Sequence, residues 1–405
     1  MADKPEHSEK GKNEFPLKYR LAFVSINEEV GYGGQFLEVK TRGARGEGEP
    51  AFKSKEPLST TAILGAKKQK FLMVLDSSSG ADRGHDTLWF DADGDGKFTD
   101  KEKFTGVPHG DGHVFGPIKV MVDCHGHGQD KCPQWFFIQF TEYDNGAGQP
   151  YRRVQLCNAG YYEGVVKFGD KEMLIAFVDA DGNGLYNSVM KPDDEQRNDR
   201  LLLDLNGDGK LDGSYNSEES QPLGRFVEVG GKYWQLDPSP DGSSVAIAPL
   251  DRLLGRVKAA TNDFTLLLTS DDGVLQVRSK NSVVNVPAGN YRLYQCNYNM
   301  PVDGKTWTFR GSCGLDGRVG PRQGAPIEVL ADQEINIAFG APLTPKIQVG
   351  QNGNELQLSL ELRGAGGEVY NDVHIGDNYQ RPPVPKAKIL DASDKELAQL
   401  DFHYG

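Results

Sequence analysis

Hydrophobic residues in this chain come in short bursts rather than at helical spacing. Phe71 to Leu75, Leu88-Trp89-Phe90, Trp135 to Phe140, Met173 to Val178 and Leu201 to Leu203 are apolar, rich in β-formers, and bounded by Gly, Asp or Asn clusters. That pattern predicts strands closed by turns. Tyr19 to Val24, Gln35 to Lys40, Gly231 to Leu236 and Val245 to Ala248 read the same way. From about residue 256 the strands crowd together: Phe264 to Leu268, Val274 to Val277, Val283 to Tyr294, Ile327 to Leu330, Ile335 to Phe339, Leu356 to Leu362, Lys388 to Leu390 and Leu400 to Gly405. No long stretch sustains a helical period, so the expected class is mainly β and multidomain.

The pattern repeats. Phe71 to Asp76, a Gly-rich spacer and Asp86-Thr87-Leu88-Trp89-Phe90-Asp91 form one copy. Met173 to Asp179, a longer spacer and Asp199-Arg200-Leu201-Leu202-Leu203-Asp204 form the second. Two related β modules are therefore expected. The chain divides into a disordered tail (1–15), a module with one acidic loop (16–120), a module with two (121–255) and a sandwich region (256–405) with a candidate split near 340.

The acidic loops carry the chemistry. Asp91-Ala92-Asp93-Gly94-Asp95-Gly96-Lys97-Phe98-Thr99-Asp100-Lys101-Glu102 fits the twelve-residue EF-hand loop. Carboxylates stand at the first, third and fifth positions, glycine at the sixth and glutamate at the twelfth. Ca²⁺ takes six to eight oxygens, and this spacing wraps alternate residues around one ion. Asp91, Asp93, Asp95, the Lys97 carbonyl and Glu102 are the expected ligands. A second loop offers Asp179, Asp181 and Asn183, and a third Asp204, Asn206, Asp208 and Asp212. Their twelfth positions hold Met190 and Tyr215. Glu218 or Glu219 is the candidate late ligand for the third loop, and Asp193 or Asp194 for the second. The competing reading is a solvated Asp/Gly turn. Strands rather than helix pairs flank the loops, which favours structural clamping over a calmodulin-type switch.

The stretch from Asp204 to Asp212 resembles a dockerin-type or other EF-hand-like bacterial calcium loop. Over 71–105 and 171–250 the wider pattern resembles secreted or cell-envelope proteins of Planctomycetes-like bacteria. A dockerin pairs its loops with helices and binds a cohesin; no such helices are evident, so cohesin binding is not carried over. Val286-Pro287-Ala288-Gly289-Asn290-Tyr291-Arg292-Leu293 resembles a strand of prealbumin-like or carboxypeptidase-regulatory-like sandwiches. That resemblance implies one or two Ig-like β-sandwiches over 256–405.

Composition narrows the setting. The chain has 405 residues, 49 glycines, 22 prolines and a net charge of −13, which argues against DNA or an anionic membrane as partner. Its apolar runs are strand-sized, so membrane insertion by a helix is not expected. Residues 1–10 are polar and show no leader pattern. The chain is expected to be secreted, periplasmic or at the cell surface, either as a mature chain whose leader has been removed or as a leaderless protein. The expected partner is a protein or glycan at that surface, with self-assembly through sheet edges as a further option.

Two side constellations remain. Cys124 with Cys132, and Cys296 with Cys313, are candidate disulfides, leaving Cys157; five reduced thiols are the alternative. His109, His113, His125 and His127 lie beside two of these cysteines, and imidazole with thiolate suits Zn²⁺ or copper. That set supports a rival class, a secreted metal-dependent enzyme, against a bland reading of exposed histidines on a Gly-rich loop. No Gly-x-Ser-x-Gly, His-Glu-x-x-His or Walker pattern is present, so no catalytic residue is named. Trp89, Trp135, Trp234 and Trp307 lie in strand-like contexts and read as core. Their use as a sugar-stacking platform in a carbohydrate-binding protein is a third reading.

Overall fold

Period-two burial decides the architecture. Leu58–Leu64 alternates buried and open positions, as a strand with one face on a core must. A computed structural model describes residues 12–22, 34–42, 49–125, 131–144, 146, 150–191, 198–214, 217–313, 324–353, 355–376 and 380–402. The chain is a multidomain β protein of mostly antiparallel sheets. It divides into two units, with the main break between Leu250 and Asp251.

The first unit holds two sandwiches. In one, a sheet of Lys40–Thr41, Leu58–Leu64, Gln69–Asp76, Thr87–Phe90 and Lys103–Thr105 packs on a sheet of Gln35–Leu37, Pro150–Asn158, Lys131–Asp144, Gly112–Asp123 and Val107–His109. Leu58, Phe71, Met73 and Phe90 from the first sheet share one core with Phe115, Phe136, Phe140 and Leu156 from the second. In the other sandwich, a sheet of Lys18–Leu21, Gly160–Phe168, Lys171–Val178, Arg200–Leu203 and Ser220–Pro222 packs on Asn13–Pro16, Ser244–Pro249, Lys232–Pro238 and Phe226–Val229. Phe168, Ile175, Phe177, Leu203, Trp234 and Ile247 form its centre.

Several expectations are corrected here. Of the tail expected over 1–15, residues 1–11 lie outside the described residues and Asn13–Pro16 is a strand, pairing Asn13 with Ile247 and Pro16 with Ser244. A boundary at 120/121 would cut the strand Gly112–Asp123. The strand Lys131–Asp144, expected to open the second module, belongs to the first sandwich. Tyr19 to Val24 is a shorter strand, Lys18–Leu21, and residues 23 and 24 lie outside the described residues. Gln35 to Lys40 is not one strand. Gln35–Leu37 and Lys40–Thr41 pair in different sheets, so the chain changes layers at Glu38 and Val39.

In the second unit, Gly273–Ser279, Asp263–Ser270, Gly289–Val302, Lys305–Ser312, Val369–Ile375, Glu355–Arg363 and Thr344–Asn352 follow one another across one sheet, with Pro326–Val329 beside Gly289–Val302. Lys305–Ser312 pairs with Val369–Ile375, so this sheet is continuous across the split expected near 340. Val283–Pro287, Leu254–Lys258 and Glu334–Asn336 form a smaller sheet containing a parallel pair. Tyr298 stacks on Phe309 at 4.8 Å and meets Tyr370 edge-on.

Trp89 and Trp234 are buried, Trp135 stacks on Tyr19 at 5.0 Å and Trp307 stacks on Phe309. All four therefore serve packing. The five cysteines are thiols with no disulfide among them, which corrects the expected two bridges.

Candidate metal centres

Each acidic loop begins where a buried strand ends: Asp91 follows Thr87–Phe90, Asp179 follows Lys171–Val178 and Asp204 follows Arg200–Leu203. The strands deliver these aspartates into positions only 2%, 0% and 9% exposed. The chain then turns back by the same hydrogen bonds three times. The first aspartate accepts from the fifth and sixth backbone N–H groups: Asp95 and Gly96 on Asp91 at 3.0 Å each, Asn183 and Gly184 on Asp179 at 3.0 and 2.8 Å, Asp208 and Gly209 on Asp204 at 3.1 and 3.0 Å. The third side chain accepts from the fifth N–H, at Asp93, Asp181 and Asn206. The fifth accepts from the seventh, at Asp95, Asn183 and Asp208. Gly96, Gly184 and Gly209 at the sixth position have φ of 81°, 81° and 78°, a left-handed conformation that glycine adopts without cost.

A late carboxylate closes every loop. Glu102 accepts from the second N–H, Ala92, at 2.9 Å and from the ninth, Thr99, at 2.9 Å. Glu219 makes the same bridge in the third loop, accepting from Leu205 at 3.2 Å and Asp212 at 3.0 Å. In the second loop the bridge is Asp199, which accepts from Ala180 at 3.3 Å and from Ser188 at 2.7 Å. Asp199 is fully buried and its ligand oxygen lies within 4.8 Å of those of Asp179 and Asp181. Asp91, Asp93 and Asp95 converge equally closely.

Electrostatics sets the second loop apart. Burial, together with the charge of Asp181, pushes the Asp179 carboxyl well above the usual carboxylate range. Burial and the charges of Asp181 and Asp179 do the same to Asp199. Burial, then the Glu102 charge, raises Asp91 against the hydrogen bonds it accepts. Two like charges about 4 Å apart repel by about 4 kcal/mol at an effective dielectric of 20. Either protons or a cation must relieve that repulsion. The donors are all oxygen, which suits a hard divalent ion such as Ca²⁺ and disfavours softer metals.

This loop is also where the two sandwiches of the first unit meet. Gly34 donates its N–H to Ala180, Gly65 donates to Asn183 at 2.8 Å, and Gln35 donates to Gly182. A side chain on Gly182 (φ 68°) would strike the Gly34–Gln35 backbone at 2.9 Å. Asn158, from the first sandwich, donates to both Asp179 and the Tyr186 hydroxyl.

In the first repeat the equivalent position is filled differently. Asp76 stands where Asp179 does, but its carboxylate accepts from the N–H groups of Lys53, Ser54 and Ser77. Backbone donors satisfy that charge, and no metal loop follows it.

Among the expected ligands, Asp91, Asp93, Asp95 and Glu102 gather in the first loop, and Asp179, Asp181 and Asn183 in the second. Asp204, Asn206 and Asp208 gather in the third. Lys97 donates its N–H to Asp95 and its side chain is exposed. Asp212 differs from expectation: its N–H meets Glu219, while its carboxylate accepts from Ser214 at 2.9 Å. Glu218 is exposed and Glu219 is buried, which selects Glu219 as closer. Asp193 and Asp194 lie outside the described residues. Asp199 was marked by the repeated Asp-x-Leu motif, yet its role was hidden. Glu219→Gln is expected to weaken calcium binding at the third loop about tenfold or more, and Asp212→Asn to leave it within about twofold, measured by calorimetric titration.

The histidine set does not assemble. His109 and His113 sit at one end of the strand Gly112–Asp123 and His125 just past the other, roughly 40 Å away at strand rise. His127 lies outside the described residues. Comparison of the chain with protein-family models, curated proteins and solved structures gave no match.

Proposed function

We propose that this is an extracellular calcium-binding structural protein, in which Ca²⁺ rigidifies β modules that engage a partner at the cell surface. The observation that carries this reading is the second loop: three carboxylates, two of them fully buried, wedged where two sandwiches meet. A cation there ties Asp179 and Asp181 to Asp199 across a long insertion. Calcium sites of extracellular modules bind at about 10⁻⁴–10⁻³ M, a range filled outside cells and empty in cytosol. No described helix is long and apolar enough to cross a membrane.

The partner surface is read from the second unit. Thr344–Asn352 ends the large sheet and leaves Ile347 and Val349 48% and 65% exposed. An open edge with apolar side chains is a template for strand addition by a partner protein or a second copy.

Limited proteolysis tests the clamp. With millimolar Ca²⁺ the region from Asp179 to Ser214 is expected to resist cleavage; in EGTA it should be the first segment cut. Identical digestion patterns would remove the clamping role.

A second reading has one observation in its favour. On the outer face of the first sandwich, Tyr143 pairs with Tyr151, Thr141 with Arg153 and Gln139 with Gln155 across the strands, lining a shallow depression. The two tyrosine rings lie 4.9 Å apart and are 43% and 38% exposed. Aromatic faces beside amide and guanidinium donors suit a glycan, and loss of glycan binding in Tyr143→Ala tests it.

A further inference from the structure

The hairpin of Gly112–Asp123 and Lys131–Asp144 ends in Cys124, His125 and Cys132. Facing it, in the second sandwich, is the turn from Ser239 to Ser243 that carries Asp241. A ring nitrogen of His125, the Cys132 sulfur and an Asp241 carboxylate oxygen all lie within 4.8 Å of one another. We propose that His125, Cys132 and Asp241 form a Zn²⁺ site with one open coordination position, distinct from the calcium loops.

The donor set is the first reason. One sulfur, one nitrogen and one oxygen match the ligands of Zn²⁺, whereas Ca²⁺ takes oxygen alone. Tetrahedral Zn²⁺ with bonds of about 2.0–2.3 Å places its ligands about 3.3–3.8 Å apart. The groups need to close by little more than about 1 Å, and His125 is exposed and able to rotate.

The surroundings are the second reason. Ser243 donates its N–H to Asp241 at 3.1 Å and its hydroxyl at 2.9 Å, fixing the carboxylate as outer-shell partners of metal ligands do. Gly242 (φ 79°) packs so that a Cβ would lie 2.4 Å from the Tyr162 ring, so the turn is pinned beside its ligand. Behind Cys132 stands Cys124, whose buried thiol donates to the Val122 carbonyl at 3.6 Å. Gln134, fully buried, lies against the Cys124 thiol and completes the polar lining behind Cys132.

The test uses the full chain, stripped of metal, reduced with a phosphine and held in saturating Ca²⁺. Titration with Co²⁺ is expected to give a thiolate-to-cobalt charge-transfer band that saturates at one equivalent and is removed by one equivalent of Zn²⁺. Cys132→Ser should abolish the band. His125→Ala, a surface change that leaves folding intact, should weaken Zn²⁺ binding about tenfold or more. His109→Ala, at the far end of the strand, should change nothing. Absence of the band in the reduced protein, or unchanged Zn²⁺ affinity in His125→Ala, would overturn the site.

Discussion

Asp199→Asn is expected to remove the calcium-dependent stability that the second loop supplies to the first unit while changing the metal-free protein little. With calcium present, the variant loses the carboxylate that bridges Ala180 and Ser188 and completes the cluster with Asp179 and Asp181. A ligand in hundredfold excess over its dissociation constant stabilises the native state by about 2.7 kcal/mol. For a unit of this size that is about 5–10 °C in Tm. In EGTA the balance differs. Removing one charge relieves repulsion on Asp179 and Asp181, and this offsets the weakened acceptance from Ser188. Thermal melts of parent and variant should therefore diverge by several degrees in Ca²⁺ and lie within about 1 kcal/mol of each other in EGTA. An equal loss in both conditions would mean that Asp199 is a packing residue and not a ligand.

The second large effect is on pH. The carboxyls of Asp179 and Asp199 are raised, first by burial and then by the Asp181 charge, with the Asp179 charge adding to the effect on Asp199. Without metal the folded protein holds protons that the unfolded chain releases above an ordinary value of about 3.9. The stability linked to those protons is complete below that value and is lost as pH rises through the raised pKa range. Each extra proton held costs about 1.4 kcal/mol per pH unit. In EGTA, Tm is expected to fall as pH rises above the ordinary carboxylate value of about 3.9. In Ca²⁺ the ion replaces the protons and its affinity grows with pH, so the decline should flatten or reverse. The gap between the two curves should widen toward alkaline pH; parallel curves would contradict a shared proton and metal site.

Much of this was legible in the sequence because it is local. Strand positions follow from short apolar runs closed by Gly, Asp or Asn, as in Lys171–Val178. The loop turns follow from Asp, Asn and Gly at fixed offsets, so the same hydrogen bonds recur at Asp91, Asp179 and Asp204. What escaped was long-range. Alternation says which residues face a core but not which strand pairs with which, so the union of Asn13–Pro16 with Ser244–Pro249 carries no local signal. The same holds for the layer change between Leu37 and Lys40. The closing carboxylates were missed or left open for a related reason. Glu102 lies inside the twelve-residue frame, whereas Glu219 and Asp199 return after insertions whose course is set by the sheet. Histidine clustering misled, since neighbours in sequence were placed at opposite ends of one strand. His125 instead met Asp241 from the other sandwich.

The central claim, that these loops hold calcium, is tested most directly by equilibrium dialysis of metal-stripped protein against millimolar Ca²⁺. Three bound ions are predicted, one per loop. One ion should be lost in each of Asp91→Asn, Asp179→Asn and Asp204→Asn. No bound calcium, or binding that none of these changes reduces, would contradict the account.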